Sequence, residues 1–366
     1  MKILYAGTLR PEATVMHRLW ALERLGHTVI PFNVEAYAER SVLLRKLSFR
    51  LSAGLGIERL NRDLLRIAEA ERPDLFWGDK MLSLRSATLA QLGAMGIMRI
   101  SYLIDNPFGA RRDPGWRLFL KNVPFYDLHV VQRDRNIVDY RAHGARDVVK
   151  IQTAYEPTLH FPPPEEWSDL ERTRQVSFIG TPYDDRAALL ARLWREQKCE
   201  INVNGSSRAW RRALDRETYA ALWKTNELYG TAYREAIWRS KINLSFLTQS
   251  NQDEFAHKSF EIAGCGGFLL AERSEGHRLR FVEGEEAVFF SGFDELAAKI
   301  RRYLPDEAAR SRIAAAGRAR AVRSGYDNDR QMGLILARVE ELVASSRTER
   351  LAVGSAEASR SVGASG

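Results

Sequence analysis

The amino-terminal half of the chain alternates between short apolar runs and amphipathic segments. The run KILYAG at residues 2–7 predicts a buried strand, and apolar positions 15, 19, 22 and 25 then follow helical spacing. Gly26 is a typical helix stop, and the run TVIPFNV after it predicts a second strand. Strand–helix–strand units build parallel sheets, and this alternation continues to about residue 156.

A proline-rich stretch then separates this region from a second strand–helix series. Residues 157–174 carry four prolines and little periodicity, which indicates a linker. The second series has strands at QVSFIG, CEINVNG, KINLSFL, GFLLAE and AVFF, with a helical stretch from about 206 to 240. We therefore predict an α/β protein with two Rossmann-like, doubly wound domains facing across a cleft. The predicted boundaries are an amino-terminal domain at 1–160, a linker at 161–174 and a carboxy-terminal domain at 175–326.

Composition narrows the class of protein. The 366 residues are 45% hydrophobic and 28% charged, as in a soluble globular protein. There is no apolar stretch of about 18 residues and no signal-peptide pattern, so we expect a cytoplasmic location. Cys199 and Cys265 lie far apart in apolar settings and are expected to be reduced core residues. The small and polar residues 346–366 are expected to form a disordered tail.

The net charge of +8 predicts an anionic partner. Residues 40–57 contain four cations and no acid, interleaved with apolar residues. This stretch is either a helix that packs its apolar side on the domain, or a peripheral contact with an anionic membrane. Nucleic-acid binding is disfavoured, because the cations are spread over both halves and no known nucleic-acid module is present.

Ligands of open α/β sheets bind beyond the carboxyl ends of the strands. That rule selects the loops at Gly180–Thr181 and Gly205, the strand end at Asp105, and the stretch from Thr248 to Glu261. The histidines show no metal-ligand spacing, and no Gly-Lys-Ser/Thr phosphate loop occurs, so we expect neither a metal nor a bound cofactor.

The helix at HKSFE is the richest of these places. A cation in its first turn, Lys258, is unfavourable unless an anion such as a pyrophosphate joins it there. Glu261, one turn further on, can accept two hydrogen bonds from a vicinal diol such as a ribose. The simpler alternative is a salt bridge between Lys258 and Glu261, which is common at this spacing.

Larger blocks carry a resemblance to a known family. The segments RSKINLSFLTQSNQDEFAHKSFEIAGCGGFLLAE, FVEGEEAVFFSGFDELAAKIRRYL and RIAAAGRAR resemble the CgeB-like glycosyltransferases, and ILYAG, RPDLFWGDK and YLIDNP are similar to their amino-terminal domain. The resemblance covers roughly residues 1–345. It implies the GT-B arrangement of two Rossmann-like domains, with a last helix at 327–345 that crosses back to the first domain. It also implies that no metal is needed.

The resemblance also implies roles for individual residues. It makes Glu261 the ribose-binding acid and Lys258 the replacement for an arginine. Asp253 stands where relatives carry a second glutamate. It gives a donor-side role to the phosphate-facing loop and its neighbours, Gly180, Thr181, Arg186, Gly205 and His257. Arg186 is otherwise a solvated helix residue.

Asp105 is similar in position to an acceptor-side catalytic group, and the alternative for Asp-Asn-Pro is a simple turn. The implied function is transfer of a sugar from a nucleoside diphosphate sugar to an unidentified acceptor, which is a glycan, a lipid-linked molecule or a small molecule. The alternatives are a nucleotide-sugar epimerase or hydrolase on the same fold, or a non-catalytic sugar-nucleotide-binding protein.

Overall fold

A computed structural model describes residues 1–39, 41–109 and 114–363. Two six-stranded sheets organise it, and every strand pair in both is parallel. Continuous apolar strands of this kind are buried on both faces, because helices cover the two sides of a parallel sheet. Strand β1 illustrates this, since Ile3, Leu4, Tyr5 and Ala6 are all fully buried.

The first sheet has the strand order β2-β1-β3-β4-β5-β6. Its strands are β1 (Lys2–Gly7), β2 (Thr28–Asn33), β3 (Leu75–Asp79), β4 (Met98–Tyr102), β5 (Leu128–Val131) and β6 (Val148–Lys150). Its helices are α1 (Thr14–Arg24), α2 (Val42–Leu51), α3 (Leu55–Glu71), α4 (Ser86–Ala94), α5 (Trp116–Lys121) and α6 (Asp134–Ala142).

The second sheet has the strand order β12-β11-β10-β7-β8-β9. Its strands are β7 (Arg174–Ile179), β8 (Ile201–Asn204), β9 (Trp223–Thr225), β10 (Ser240–Ser245), β11 (Leu269–Glu272) and β12 (Val288–Phe290). The helices are α7 (Arg186–Gln197), α8 (Ser207–Ala213), α9 (Arg216–Leu222), α10 (Gly230–Trp238), α11 (His257–Gly264), α12 (Glu275–Arg278), α13 (Gly292–Tyr303) and α14 (Glu307–Arg323).

Two stretches differ from the sequence prediction. The stretch expected to be helical up to residue 240 contains the edge strand β9, which pairs with β8 through a register shift at Val203/Asn204. β9 is only three residues long and polar in part, so it lacks the apolar run that predicts a strand. The last helix, α15 (Asn328–Gly363), continues through residues that were expected to form a disordered tail from 346.

Helix α15 packs on the first domain. Met332, Ile335 and Val339 are buried in the same apolar cluster as residues of β1, β3 and α1. Arg24 on α1 binds the Asp329 carboxylate at the start of α15, with its Nε atom 3.0 Å from Oδ1. The chain therefore passes from the second domain back to the first through this helix.

Candidate functional site

The carboxyl ends of the two sheets face each other, and polar side chains join them. Arg133, next to β5, forms an ion pair with Asp253, which follows β10. Lys150 Nζ lies 3.0 Å from Glu254 Oε2. The Asn106 backbone N–H, just beyond β4, donates to Asn251 Oδ1 at 3.0 Å. These contacts hold the cleft between the two domains closed.

Glu261 lies on α11, inside this region, and is buried. Its Oε2 accepts a hydrogen bond of 2.6 Å from the hydroxyl of Tyr233 on α10. On the other side, His257 Nε2 lies 3.1 Å from Oε1 and His160 Nε2 lies 3.8 Å from the same oxygen. The His257 Nε2 atom has no partner in hydrogen-bonding geometry among the described residues.

The surroundings of Glu261 keep its carboxyl ionised. Burial alone would raise the pKa of Glu261, but the charge of His257, followed by those of His160 and Lys258, holds that pKa well below its ordinary value of 4.5. Burial lowers the pKa of His160 to about 4. His160 is therefore neutral at pH 7 and adds no charge beside Glu261 at that pH. An ionised, buried carboxylate with open acceptor capacity can bind a pair of hydroxyl groups.

Lys258 is not paired with Glu261. Its Nζ atom lies 3.2 Å from the Tyr233 hydroxyl and 4.9 Å from the centre of the Tyr233 ring. No carboxylate of the described residues forms an ion pair with it. Burial is the main cause that lowers the pKa of Lys258, and the charge of Glu261 offsets it only in part. The first turn of α11 also lacks a side-chain cap at Ala256. The cation and the helix start together suit an anion.

Arg186 is buried rather than solvated, and it ties two loops together. Its guanidinium donates to the Thr181 carbonyl at 3.2 Å and to the Leu247 carbonyl at 2.8 Å. Its Nε atom is buried without a hydrogen-bond partner among the residues that the structure places. Arg186 therefore positions the loop after β7 against the loop after β10, and it adds a second buried cation to this side of the cleft.

Gly180 and Gly205 meet through their backbones. A Cβ atom at Gly205 would lie 2.2 Å from the Gly180 carbonyl oxygen, and the φ of +155° at Gly205 also disfavours a side chain. The Gly180 carbonyl accepts a hydrogen bond of 2.9 Å from Trp210 Nε1. Gly205 is thus explained by close packing of β7 on β8.

Asp253 and its neighbour Glu254 are engaged across the cleft. Besides the Arg133 ion pair, Asp253 Oδ1 accepts from Asn251 Nδ2 at 2.8 Å. Arg133 is buried and also donates to the Ile104 carbonyl at 2.7 Å. In this closed arrangement the Asp253 carboxylate contacts the first domain rather than an open ligand space.

Asp105 is paired with a cation of its own domain. It follows β4, and its Oδ2 lies 2.5 Å from Nζ of Lys80, which directly follows β3. Both side chains keep contact with solvent. The strand-end rule selected the Asp105 loop, and the structure places it beside Lys80 at the carboxyl edge of the first sheet.

Several residues of the site carry no signal in the sequence. His160 falls within the proline-rich stretch, yet it is buried and its Nδ1 accepts from the Glu156 backbone N–H at 3.0 Å. His17 on α1 packs edge-on against His160, with 5.8 Å between the ring centres. Burial, the largest influence, lowers the pKa of His17 to about 3. Their packing depends on tertiary contacts that link α1, the linker and α11.

The described parts of the chain carry neither a metal-site arrangement nor a membrane-spanning helix. No group of three or more His, Cys, Asp or Glu side chains there has the arrangement of a metal site. Nor does any helix there have the length and apolar character needed to cross a membrane.

Comparisons with known proteins agree with this geometry. Residues 180–337 match the model of a family described as glycosyl transferase-like. No curated protein matches the sequence. Sucrose-phosphate synthase from Thermosynechococcus elongatus superposes with a TM-score of 0.71 at 13% identity, covering 94% of this chain and 100% of the other.

Two further solved structures have the same architecture. Anabaena HepE, determined in complex with UDP-glucose, has a TM-score of 0.64 at 14% identity, over 92% of this chain and 100% of its own. The α,α-trehalose 6-phosphate synthase of Burkholderia multivorans has a TM-score of 0.62 at 12% identity, over 94% of this chain and 99% of its own. The two-sheet fold matches these neighbours, and residues 180–337 match a glycosyltransferase family. The protein therefore has the GT-B fold of these neighbours, and its second domain is similar to the glycosyl transferase-like family.

Proposed function

We propose that the protein transfers a sugar from a nucleoside diphosphate sugar to an acceptor hydroxyl, without a metal ion, in the cleft between the two domains. The observation that carries the proposal is the pair of opposite charges on α11. Lys258 and Glu261 lie one turn apart, and each is buried or half-buried, yet they form no ion pair with each other. Lys258 has no ion pair with a described residue, and the basic groups near the Glu261 carboxylate are the two histidines His257 and His160. Burial of a cation without a partner is costly unless a ligand with a matching group binds there.

The donor would use both charges. The Glu261 carboxylate accepts hydrogen bonds from the two ribose hydroxyls, while Lys258 and the uncapped start of α11 face the diphosphate. His257, in the first turn of α11, flanks the same place. These groups stabilise the departing nucleoside diphosphate in the role that a divalent cation has in other transferases. HepE was determined in complex with UDP-glucose, which makes uridine nucleotides the first donors to test.

On the acceptor side, we propose that the Asp105 carboxylate accepts the proton of the acceptor hydroxyl. The acceptor oxygen forms its bond to the anomeric carbon while the bond from that carbon to the β-phosphate oxygen breaks. The hydroxyl proton passes to the Asp105 carboxylate. Lys80 Nζ, 2.5 Å from Asp105 Oδ2, holds this carboxylate at the carboxyl edge of the first sheet. This assignment corresponds to an inverting transfer.

We also infer that the chain is a member of the CgeB-like group of glycosyltransferases. The motif block from residue 239 to 320 supports it. Two positions depart from the group. Lys258 replaces an arginine and loses bidentate geometry, and Asp253 replaces a glutamate and pairs with Arg133.

We further infer that α2 contacts an anionic membrane. None of its ten residues is buried, and its three cations, Arg45, Lys46 and Arg50, form no ion pair with a described residue. Arg40, which begins the predicted basic stretch, lies outside the described residues. Cations next to an anionic leaflet contribute about 1 kcal/mol each. Sedimentation with phosphatidylglycerol vesicles, compared with neutral phosphatidylcholine vesicles, tests this contact.

A thermal-shift series tests the donor site. We expect UDP or UDP-glucose to raise the melting temperature of the wild type and to have little effect on Glu261→Ala. Glu235→Ala, on the neighbouring helix α10, is the control and should respond as the wild type does. If no nucleoside diphosphate stabilises the wild type, the proposed function is wrong. If Glu261→Ala responds fully, the ribose assignment is wrong.

A further inference from the structure

A cavity of about 320 Å³ opens in the first domain, away from the donor site. It lies between α2, the start of α3 and the segment after β3. Its wall is largely apolar and includes Val34, Phe49, Ile57, Leu60, Met81 and Leu82. The donor chemistry described above uses none of these residues. Pockets of this size that bind small molecules are typically apolar with a few polar groups.

Helix α2 forms one wall of the cavity and exposes its other side. The inner face follows helical spacing and consists of Arg45, Ser48, Phe49 and Ser52. Phe49 keeps 45% of its surface exposed although it lines the cavity. On the outer face Leu43 is 75% exposed, next to Lys46 and Arg50. One helix thus has apolar residues facing both the cavity and the outside.

The other end of the cavity reaches the acceptor side of the cleft. Thr8, just after β1, and Lys80, just after β3, belong to its lining. Lys80 is the residue that pairs with Asp105 at 2.5 Å. The cavity lining therefore includes both the exposed helix α2 and Lys80, the direct partner of the group that we assign to the acceptor hydroxyl.

We propose that this cavity holds the hydrocarbon chain of an amphiphilic acceptor, which enters from an anionic bilayer under α2 and presents its hydroxyl to Asp105. This inference rests on the proposed function and names the acceptor class. The apolar wall matches a hydrocarbon chain, and chain burial releases water from apolar surface on both sides. The cations on the outer face of α2, Lys46 and Arg50, form no ion pair with a described residue and match an anionic lipid surface. Polar groups at the Lys80 end match the head that carries the hydroxyl.

The first arm of the test measures chain binding in solution. The probe is a dodecyl alcohol that carries a nitrobenzoxadiazole fluorophore, and the readout is fluorescence anisotropy with the full-length protein. Ala38→Trp places an indole at the cavity wall, while Ala142→Trp adds one to an exposed position on α6. We expect Ala38→Trp to weaken binding at least tenfold and Ala142→Trp to leave it within twofold. Equal binding by Ala38→Trp and the wild type would overturn the proposal.

The second arm distinguishes a chain taken from a bilayer from one taken from solution. The same probe is supplied in vesicles of phosphatidylglycerol and phosphatidylcholine. We expect Leu43→Glu to reduce uptake from vesicles at least fivefold without changing binding in solution. Leu279→Glu, at an exposed leucine of the second domain, is the control. If Leu43→Glu takes up the vesicle probe as the wild type does, the entry route under α2 is wrong.

UDP-glucose stabilisation of every variant is measured in parallel. A variant that keeps it has a folded donor site, so a loss of chain binding then reports on the cavity alone. Chain binding without nucleotide stabilisation would contradict the proposed function but not the cavity assignment. Nucleotide stabilisation without chain binding in the wild type would contradict the cavity assignment only.

Discussion

Replacing Lys258 by methionine tests the central assignment, because two interpretations of this residue predict opposite results. In the structure the ammonium has a long hydrogen bond of 3.2 Å to Tyr233 and a contact of 4.9 Å with its ring. The hydrogen bond contributes at most about 1.5–3 kcal/mol to stability, and the contact with the ring at most about 0.5–1 kcal/mol. Burial opposes them, and the lowered pKa of Lys258 shows that burial has the larger effect on the charge.

We therefore expect Lys258→Met to change the stability of the ligand-free protein by no more than about 1 kcal/mol, or a melting temperature shift of roughly 2–4 °C. Nucleotide affinity should fall much more. A lost charge-assisted contact to phosphate costs about 1.5–3 kcal/mol, which is roughly a 10- to 150-fold increase in Kd for UDP. Isothermal titration calorimetry measures this, with Lys224→Met of the same domain as the control.

A structural salt bridge would give the reverse pattern. If Lys258 served to neutralise Glu261, its removal would leave a buried unpaired carboxylate and cost about 3–5 kcal/mol. A large drop in melting temperature with an unchanged Kd for UDP would therefore refute the assignment.

The pH dependence gives a second check on Lys258. Folding lowers its pKa below the ordinary value of 10.5. Between the lowered pKa of the folded protein and 10.5, the unfolded chain binds more protons than the folded chain. The wild type should therefore gain stability relative to Lys258→Met as the pH rises through this range.

Three further predictions concern the rest of the site. His160 has a pKa of about 4 in the folded protein and 6.5 ordinarily, so stability should fall by roughly 3 kcal/mol as the pH falls through that window. His160→Gln should flatten the curve of melting temperature against pH, whereas the exposed His143→Gln should not, and parallel curves would contradict this. Asp79→Asn removes the carboxylate charge that lies 2.6 Å from Arg18 Nε and should lower the free energy of unfolding by about 3–5 kcal/mol. The exposed Asp294→Asn is the control. A melting temperature equal to that of the wild type would show that the buried pair adds nothing to stability. Arg133→Met removes the ion pair with Asp253 and should increase the radius of gyration measured by small-angle scattering. The control, Arg135→Met, should leave the radius unchanged. An unchanged radius for Arg133→Met would mean that other contacts close the cleft.

Most of the fold could be predicted from the sequence, because its signals are local. Parallel strands such as β1 and β12 are apolar runs, and each is followed by a polar turn at its carboxyl end. Strand β9 has no such run. Its residues Trp223, Lys224 and Thr225 form a strand because they pair with β8 at the edge of the sheet. An edge strand needs only one partner and little apolar surface.

The site could be predicted only in part. The strand-end rule selected Asp105 and the loop of Gly180, and family resemblance selected Glu261. Neither shows that Tyr233, from a different helix, holds Glu261 and Lys258 apart by contacting both. The prediction that Arg186 is a solvated helix residue, left open as an alternative, does not hold, because the loops after β7 and β10 enclose it. Such contacts between distant segments have no local pattern.

The character of the interdomain contacts bears on how the enzyme can turn over. The two domains meet through charged and amide groups, such as Arg133 with Asp253 and Lys150 with Glu254, rather than through a continuous apolar surface. Apolar burial would make opening costly in proportion to the area exposed, whereas half-exposed ion pairs can exchange their partners for water at small cost. Lys150 and Glu254 both retain contact with solvent, while Arg133 and Asn106 are deeply buried. On the proposed function, a cleft joined in this way can open to admit a donor and release a nucleotide, and loss of the buried Arg133 ion pair should shift the balance towards the open state.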